Sequence, residues 1–196
     1  GLYFYAKGPI KWNTILVDKF IHEQNPFSSY GYYFLSDRDA DERTIELSGS
    51  ATAGSDCSDH FQERIVHEQD LVSPGETGHL LVGEDFKYSP TQTFTFDLPD
   101  KVGTSMWIQC KFLTRTLSSP SYLTFTANGQ ELTLSGNNFI PTTTNASYYH
   151  GTLGTFRSSF DLSGNKLQLG INFKCSATVH DANLDHIVVN YTRKAI

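Results

Sequence analysis

The densest collection of reactive side chains is His67 to Phe86, HEQDLVSPGETGHLLVGEDF, where His67 and His79 stand among Glu68, Asp70, Glu84 and Asp85. Imidazoles and carboxylates together can ligate a metal or move a proton. Zinc sites, however, use tighter pairs, such as two histidines four apart on a helix. Here the histidines are twelve positions apart, and Pro74, Gly75 and Gly78 forbid a helix between them. The reading that fits is a surface loop stiffened by Pro and Gly. A second group, Asp37-Arg38-Asp39-Ala40-Asp41, opens like a calcium loop. The full loop needs Gly at its sixth position and Glu at its twelfth. Glu42 and Ser48 occupy those positions, and Arg38 and Arg43 oppose a cation. Asp37, Asp39 and Asp41 stay as the metal candidates, with calcium the ion, against a charged turn as the competing reading; no other cofactor is expected.

A third pairing is His150-Gly151 with Cys175, the residue types of a cysteine peptidase. That chemistry needs an exposed thiolate beside the imidazole, at the end of a parallel sheet with helical crossovers. Cys175 instead sits in phase with five apolar residues in KLQLGINFKCSA. Its expected role is packing. Exposed aromatic rings could stack on sugars, and Trp12, Tyr148 and Tyr149 are the candidates for a glycan platform. Asn145-Ala146-Ser147 and Asn190-Tyr191-Thr192 fit the glycosylation pattern, which short motifs do often by chance.

The elements that must position these residues are strands. In TFTFDL the apolar face is Phe94, Phe96 and Leu98; in SMWIQCKFL it is Met106, Ile108, Cys110 and Phe112; in KLQLGINFKCSA it is Leu167, Leu169, Ile171, Phe173, Cys175 and Ala177. Strand side chains alternate between faces, so each run predicts a half-buried antiparallel strand with a wet opposite face. FQERIVHEQ shows no clear apolar face. Asn128-Gly129 lies between two strand-like runs and predicts a type I′ hairpin. Val17 to Gln24 could make two helical turns at most, and residues 135–147 read as a long surface loop. The fold class expected is all-β, an antiparallel β-sandwich of jelly-roll, galactose-binding-like type.

The chain has 196 residues, enough for one sizeable core, so a single β-sandwich domain over 1–196 is expected. With a net charge of −6 and no basic run, nucleic acid is not an expected partner. No apolar run is long enough to span a bilayer. Three cysteines, Cys57, Cys110 and Cys175, leave at least one unpaired. The chain starts in the apolar run Leu2-Tyr3-Phe4-Tyr5 and stops just beyond another, Ile187-Val188-Val189, which suggests a domain excised from a longer protein.

Four segments occur in an order that resembles one family: FYAKGPIKW, NPFSSYGYYFLSD, HEQDLVSPGETGHLLVGEDF and LDHIVVNYTRKAI. Together they resemble the region preceding the peptidase domain in the sortase (C-terminal signal peptidase) of the type IX, or Por, secretion system. The chain departs from the pattern at His79 and Leu81, where the family tends to carry Arg and Trp, while Gly83, Glu84 and Phe86 fit. The resemblance implies that a gingipain-type cysteine peptidase domain follows residue 196 and holds the catalytic His and Cys. It implies a cell-surface location outside the outer membrane of Bacteroidetes, reached through the periplasm, and an enzyme that trims sorting domains from cargo and helps join cargo to a glycolipid. This chain would then be a non-catalytic accessory domain, with the peptidase domain, outer-membrane secretion proteins or cargo as partners. His67, Glu68, Gly78, Gly83, Glu84 and Phe86 are the expected partner or interdomain contacts. The alternative is a glycan-binding jelly-roll module of an adhesion or polysaccharide-uptake protein. A third reading, an enzyme in its own right, would need Cys175 exposed.

Overall fold

The structure, a computed structural model, describes residues 8–25, 27–28, 30–34, 58–76, 78, 80–134 and 151–195. Among them run ten strands: β1 (Ile10–Leu16), β2 (Lys19–Gln24), β3 (His60–Glu68), β4 (Thr91–Asp97), β5 (Lys101–Thr116), β6 (Ser121–Ala127), β7 (Gln130–Leu132), β8 (Thr152–Asp161), β9 (Lys166–Cys175) and β10 (His180–Lys194). β3 to β10 form two four-stranded antiparallel sheets, ordered β3-β10-β5-β8 and β4-β9-β6-β7. Lettered B to I in chain order, the sheets read BIDG and CHEF, the jelly-roll arrangement. No helix among the described residues is long and apolar enough to cross a membrane.

The expected alternation produces the core. Met106, Ile108, Cys110 and Phe112 of β5, with Leu184, Ile187, Val189 and Tyr191 of β10, face Phe94 and Phe96 of β4 and Leu167, Leu169, Ile171 and Phe173 of β9. Phe112 links the sheets edge-on, with ring centroids 5.4 Å from Phe86, 6.2 Å from Phe156 and 6.5 Å from Phe125. Such tilted pairs add about 0.5–1.5 kcal/mol each to the area they bury. At the β6–β7 turn, Asn128 (φ 49°) and Gly129 (φ 82°) both adopt positive φ, as the type I′ turn requires. The Asn128 side chain pins this turn to β9, accepting from Gln168 N at 2.7 Å and donating to Lys166 O at 3.1 Å.

Two expectations need correcting. Val17 to Gln24 is not helical: residues 19–24 are strand β2, paired antiparallel with β1 around the Val17-Asp18 turn. Sheet docking overrides the weak helical signal, because this hairpin lies on a prepared surface. That surface is the second correction. The outer face of β5 and β10 is not wet: Trp107, Gln109, Val188 and Asn190 are as buried as the core. Asn190 shows how the hairpin is held. Its amide accepts from Phe20 N at 2.9 Å and donates to Phe20 O at 3.1 Å, pairing with that backbone as a neighbouring strand would. Arg64 of β3 lies over the rings of Trp12 and Phe20, 5.1 and 4.8 Å from their centroids.

Candidate functional site

The loop from Gln69 to Phe86 returns along β10. Gly83 N donates to Leu184 O at 2.7 Å, Leu184 N to Glu84 O at 3.0 Å and Phe86 N to Ala182 O at 2.8 Å. Residues 83–86 thus occupy the position beside β10 that β3 leaves when it ends at Glu68. The approach is tight at Gly83, where a Cβ would sit 2.7 Å from Gln69 O. Ahead of it the chain turns at Gly78 (φ +66°), whose N donates to Ser73 Oγ at 2.8 Å.

His67 and Glu84 meet across this loop, Nε2 to Oε1 at 2.5 Å, and the His67 ring lies 5.0 Å from Phe94. Burial would raise the Glu84 pKa, but the hydrogen bond from His67 and a backbone N–H outweigh it and lower it. Glu68 points to the other side of β3, where it pairs with His22 of the hairpin. Phe86 has no exposed surface and packs on Phe112, so in this conformation it offers a partner nothing to touch. Of the six residues expected at a partner contact, Gly78 is exposed, Gly83 and Phe86 are buried, and His67, Glu68 and Glu84 are engaged within the fold.

Beside them lies a constellation that no spacing in the sequence foretold. β10 bulges at Asp185, where its register against β5 shifts between Leu184 and His186. Bulges re-aim side chains. Asp185 Oδ2 accepts from Lys111 Nζ at 2.9 Å and from His186 Nδ1 at 3.0 Å. His186 Nε2 lies 3.1 Å from Gln109 Nε2, and Gln109 Oε1 accepts from Arg157 Nε at 2.8 Å. Since the Gln109 amide nitrogen can only donate, His186 carries its proton on Nδ1 and faces Asp185 with it. Burial would raise the Asp185 pKa, yet the hydrogen bonds from His186 and Lys111 win and lower it. His22 stands edge-on to His186, centroids 4.6 Å apart. His22, Lys111, Asp185 and His186, with Glu23, Gln24, Glu68, Asp70, Leu80 and Leu81, line a cleft of about 210 Å³. Burial and the charges of Glu68 and Asp185 raise the Asp70 pKa.

Lys111, Asp185 and His186 look like the orienting half of a hydrolase triad, but the imidazole nitrogen that would activate a nucleophile is taken by Gln109. Among the described residues no group of three or more His, Cys, Asp and Glu side chains is arranged to hold a metal ion. The structure therefore makes this a polar clamp between hairpin and sheet.

The other sequence candidates fall apart similarly. Cys110 is fully buried and burial pushes its thiol pKa far up; Cys175 packs against the core with its sulfur accepting from Ala177 N at 3.3 Å. Neither is a primed nucleophile. His150, Cys57, His79, Asp37, Asp39, Asp41, Tyr148, Tyr149 and Asn145 lie outside the described residues. Trp12 is half-buried, with Arg64 on its ring. Asn190 is 2% exposed and spends its amide on Phe20, so it is no glycan acceptor.

No protein-family model and no curated protein matches the sequence. Among solved structures, the dimeric latent PorU from Porphyromonas gingivalis aligns with 97% of this chain at 26% identity and a TM-score of 0.76. The chain spans 18% of that PorU chain. The VP2 subviral particle of infectious bursal disease virus aligns with 92% of this chain and 46% of its own, at 13% identity and a TM-score of 0.36. The fold is thus matched over nearly the whole chain by one part of a larger protein, and it is to that part of PorU that the chain is similar.

Proposed function

We propose that this chain is the accessory β-domain of a surface sortase of the type IX secretion system: it catalyses nothing itself, positions the peptidase part of a longer chain, and contacts cargo or outer-membrane secretion proteins. The observation that carries this reading is the alignment of nearly the whole chain with about a fifth of PorU. The thiol chemistry supports it, since burial holds the Cys110 thiol protonated and the Cys175 sulfur packs against the core, accepting from Ala177 N. The setting is extracytoplasmic, and the finer placement on the exterior of the outer membrane belongs to the same proposal.

The test uses the full-length parent protein. Deleting residues 8–195 should abolish or strongly reduce processing of sorting domains while the remaining peptidase part still hydrolyses a small reporter peptide. The fragment alone should hydrolyse neither substrate. Peptide hydrolysis by the fragment, lost in Cys175→Ala, would overturn the proposal, as would normal cargo processing after the deletion.

A further inference from the structure

Immediately after β2 the chain runs through Asn25-Pro26-Phe27-Ser28-Ser29-Tyr30-Gly31-Tyr32-Tyr33-Phe34, ten residues without a charge. Its described aromatic side chains face solvent: Phe27 is 70% exposed, Tyr30 75%, Tyr32 77%, Tyr33 49% and Phe34 96%. At about 150–250 Å² per fully exposed ring, these five present roughly 700 Å² of aromatic surface within eight residues. For one short segment that is a large exposed aromatic area, where scattered single apolar side chains are the ordinary case. It is close to one partner's half, about 800 Å², of a standard specific interface.

The stretch begins in a defined shape. Asn25 Oδ1 accepts from Phe27 N at 3.0 Å, Ser28 N donates to Asn25 O at 3.3 Å, and Ser28 Oγ accepts from Tyr30 N at 3.3 Å. Side-chain-to-backbone turns of this kind fix a loop locally, so part of the entropic cost of presenting the rings is met before anything binds. Tyr and Phe supply large contact area for few rotatable bonds, and Tyr hydroxyls tolerate a wet rim.

We infer that residues 27–34 are the surface by which this domain docks onto another domain of the same parent chain. The inference rests on the proposed function, and it is the PorU chain's length that points to the occupant: this chain aligns with 18% of it, leaving most of a larger protein to be packed against. The absence of charge in the run selects a neutral, largely apolar protein surface as the complement. A glycan would call for amide or carboxylate groups interleaved with the rings, and a lipid surface for basic residues beside them; the run has no charged residue of either sign, and the oxygen of its one flanking amide, Asn25, is taken by Phe27 N.

The experiment places a photo-crosslinking phenylalanine at Tyr32 of the full-length parent and maps the products by mass spectrometry. Cross-links within one chain to the peptidase part are expected. Tyr30→Ser combined with Tyr32→Ser should leave the melting of this domain unchanged, because both rings are exposed, yet raise hydrogen exchange at the facing peptidase segment and enlarge the radius of gyration. Cross-links confined to residues 8–195, to a second copy, to lipid or to glycan would overturn the inference. If residue deletion stops cargo processing but the double serine variant leaves compactness and processing intact, the docking surface is refuted while the accessory role stands; if deletion has no effect, the accessory role itself falls.

Discussion

Replacing Asn190 with Ala tests whether a single buried amide holds the β1–β2 hairpin to the sheet. The side chain makes two hydrogen bonds to the Phe20 backbone, at 2.9 and 3.1 Å, from a position 2% exposed. A net hydrogen bond contributes about 0.5–1.5 kcal/mol, and a buried backbone group left without a partner costs about 1–3 kcal/mol. If the hairpin stayed in place, both Phe20 groups would be orphaned. It escapes that penalty by lifting, so the loss is capped at the hairpin's own docking energy, on the order of 2–3 kcal/mol. Each 1.4 kcal/mol is a factor of ten, so the amides of β1 and β2 should exchange with deuterium roughly 30- to 140-fold faster, with the amides of β9 changing far less. For a domain of this size Tm should fall by about 4–12 °C. Val189→Ala on the same strand is the control, since Val189 faces the opposite sheet and its truncation lowers stability through core packing. The reasoning is refuted if Asn190→Ala leaves hairpin exchange at the wild-type rate, or if Val189→Ala accelerates it equally.

Three further outcomes are expected. Gly83→Ala forces a Cβ to within 2.7 Å of Gln69 O, and overpacking against backbone costs about 1–3 kcal/mol, so its melting point should drop while that of Gly8→Ala, with nothing within 4 Å, should not. Glu84 and Asp185 have folded pKa values below the ordinary ones, so their stabilisation is complete above the unfolded carboxylate range and is lost as pH falls through the folded values; denaturant midpoints should hold above about pH 5 and decline in acid, and the decline should be shallower in Asp185→Asn. Cys110 should resist iodoacetamide in the native protein and become labelled only at the rate of global unfolding, as read by peptide mass mapping.

Period-two patterning was enough to locate the core strands where one face is open: Phe94 and Phe96 alternate with exposed Thr93, Thr95 and Asp97, and Leu167 and Leu169 with exposed Lys166 and Gln168. The same rule failed where both faces are covered. In β10, His186, Val188 and Asn190 alternate with Ile187, Val189 and Tyr191, and all six are buried, one set by the opposite sheet and the other beneath the hairpin side. A polar residue in such a strand looks solvent-facing until the element that satisfies it is known. The clamp of Asp185, His186, Gln109 and Lys111 was equally hidden: its members come from β5 and β10, and a bulge, invisible to any fixed period, turns them together. The loop around Gly83 was legible as rigid from its Pro and Gly content, though not as a strand substitute beside β10.

The sheet that carries the clamp is completed by β10, the last of the described strands along the chain, set between β3 and β5, which do not bond to each other. A polypeptide emerging amino end first, from a ribosome or an export channel, therefore holds β3 and β5 apart until those final fifteen residues arrive. Premature closure is disfavoured by topology alone. β5 and β8 can pair early, but β3 joins them only when β10 is out, so the seam between the first and the middle strands of this sheet closes last.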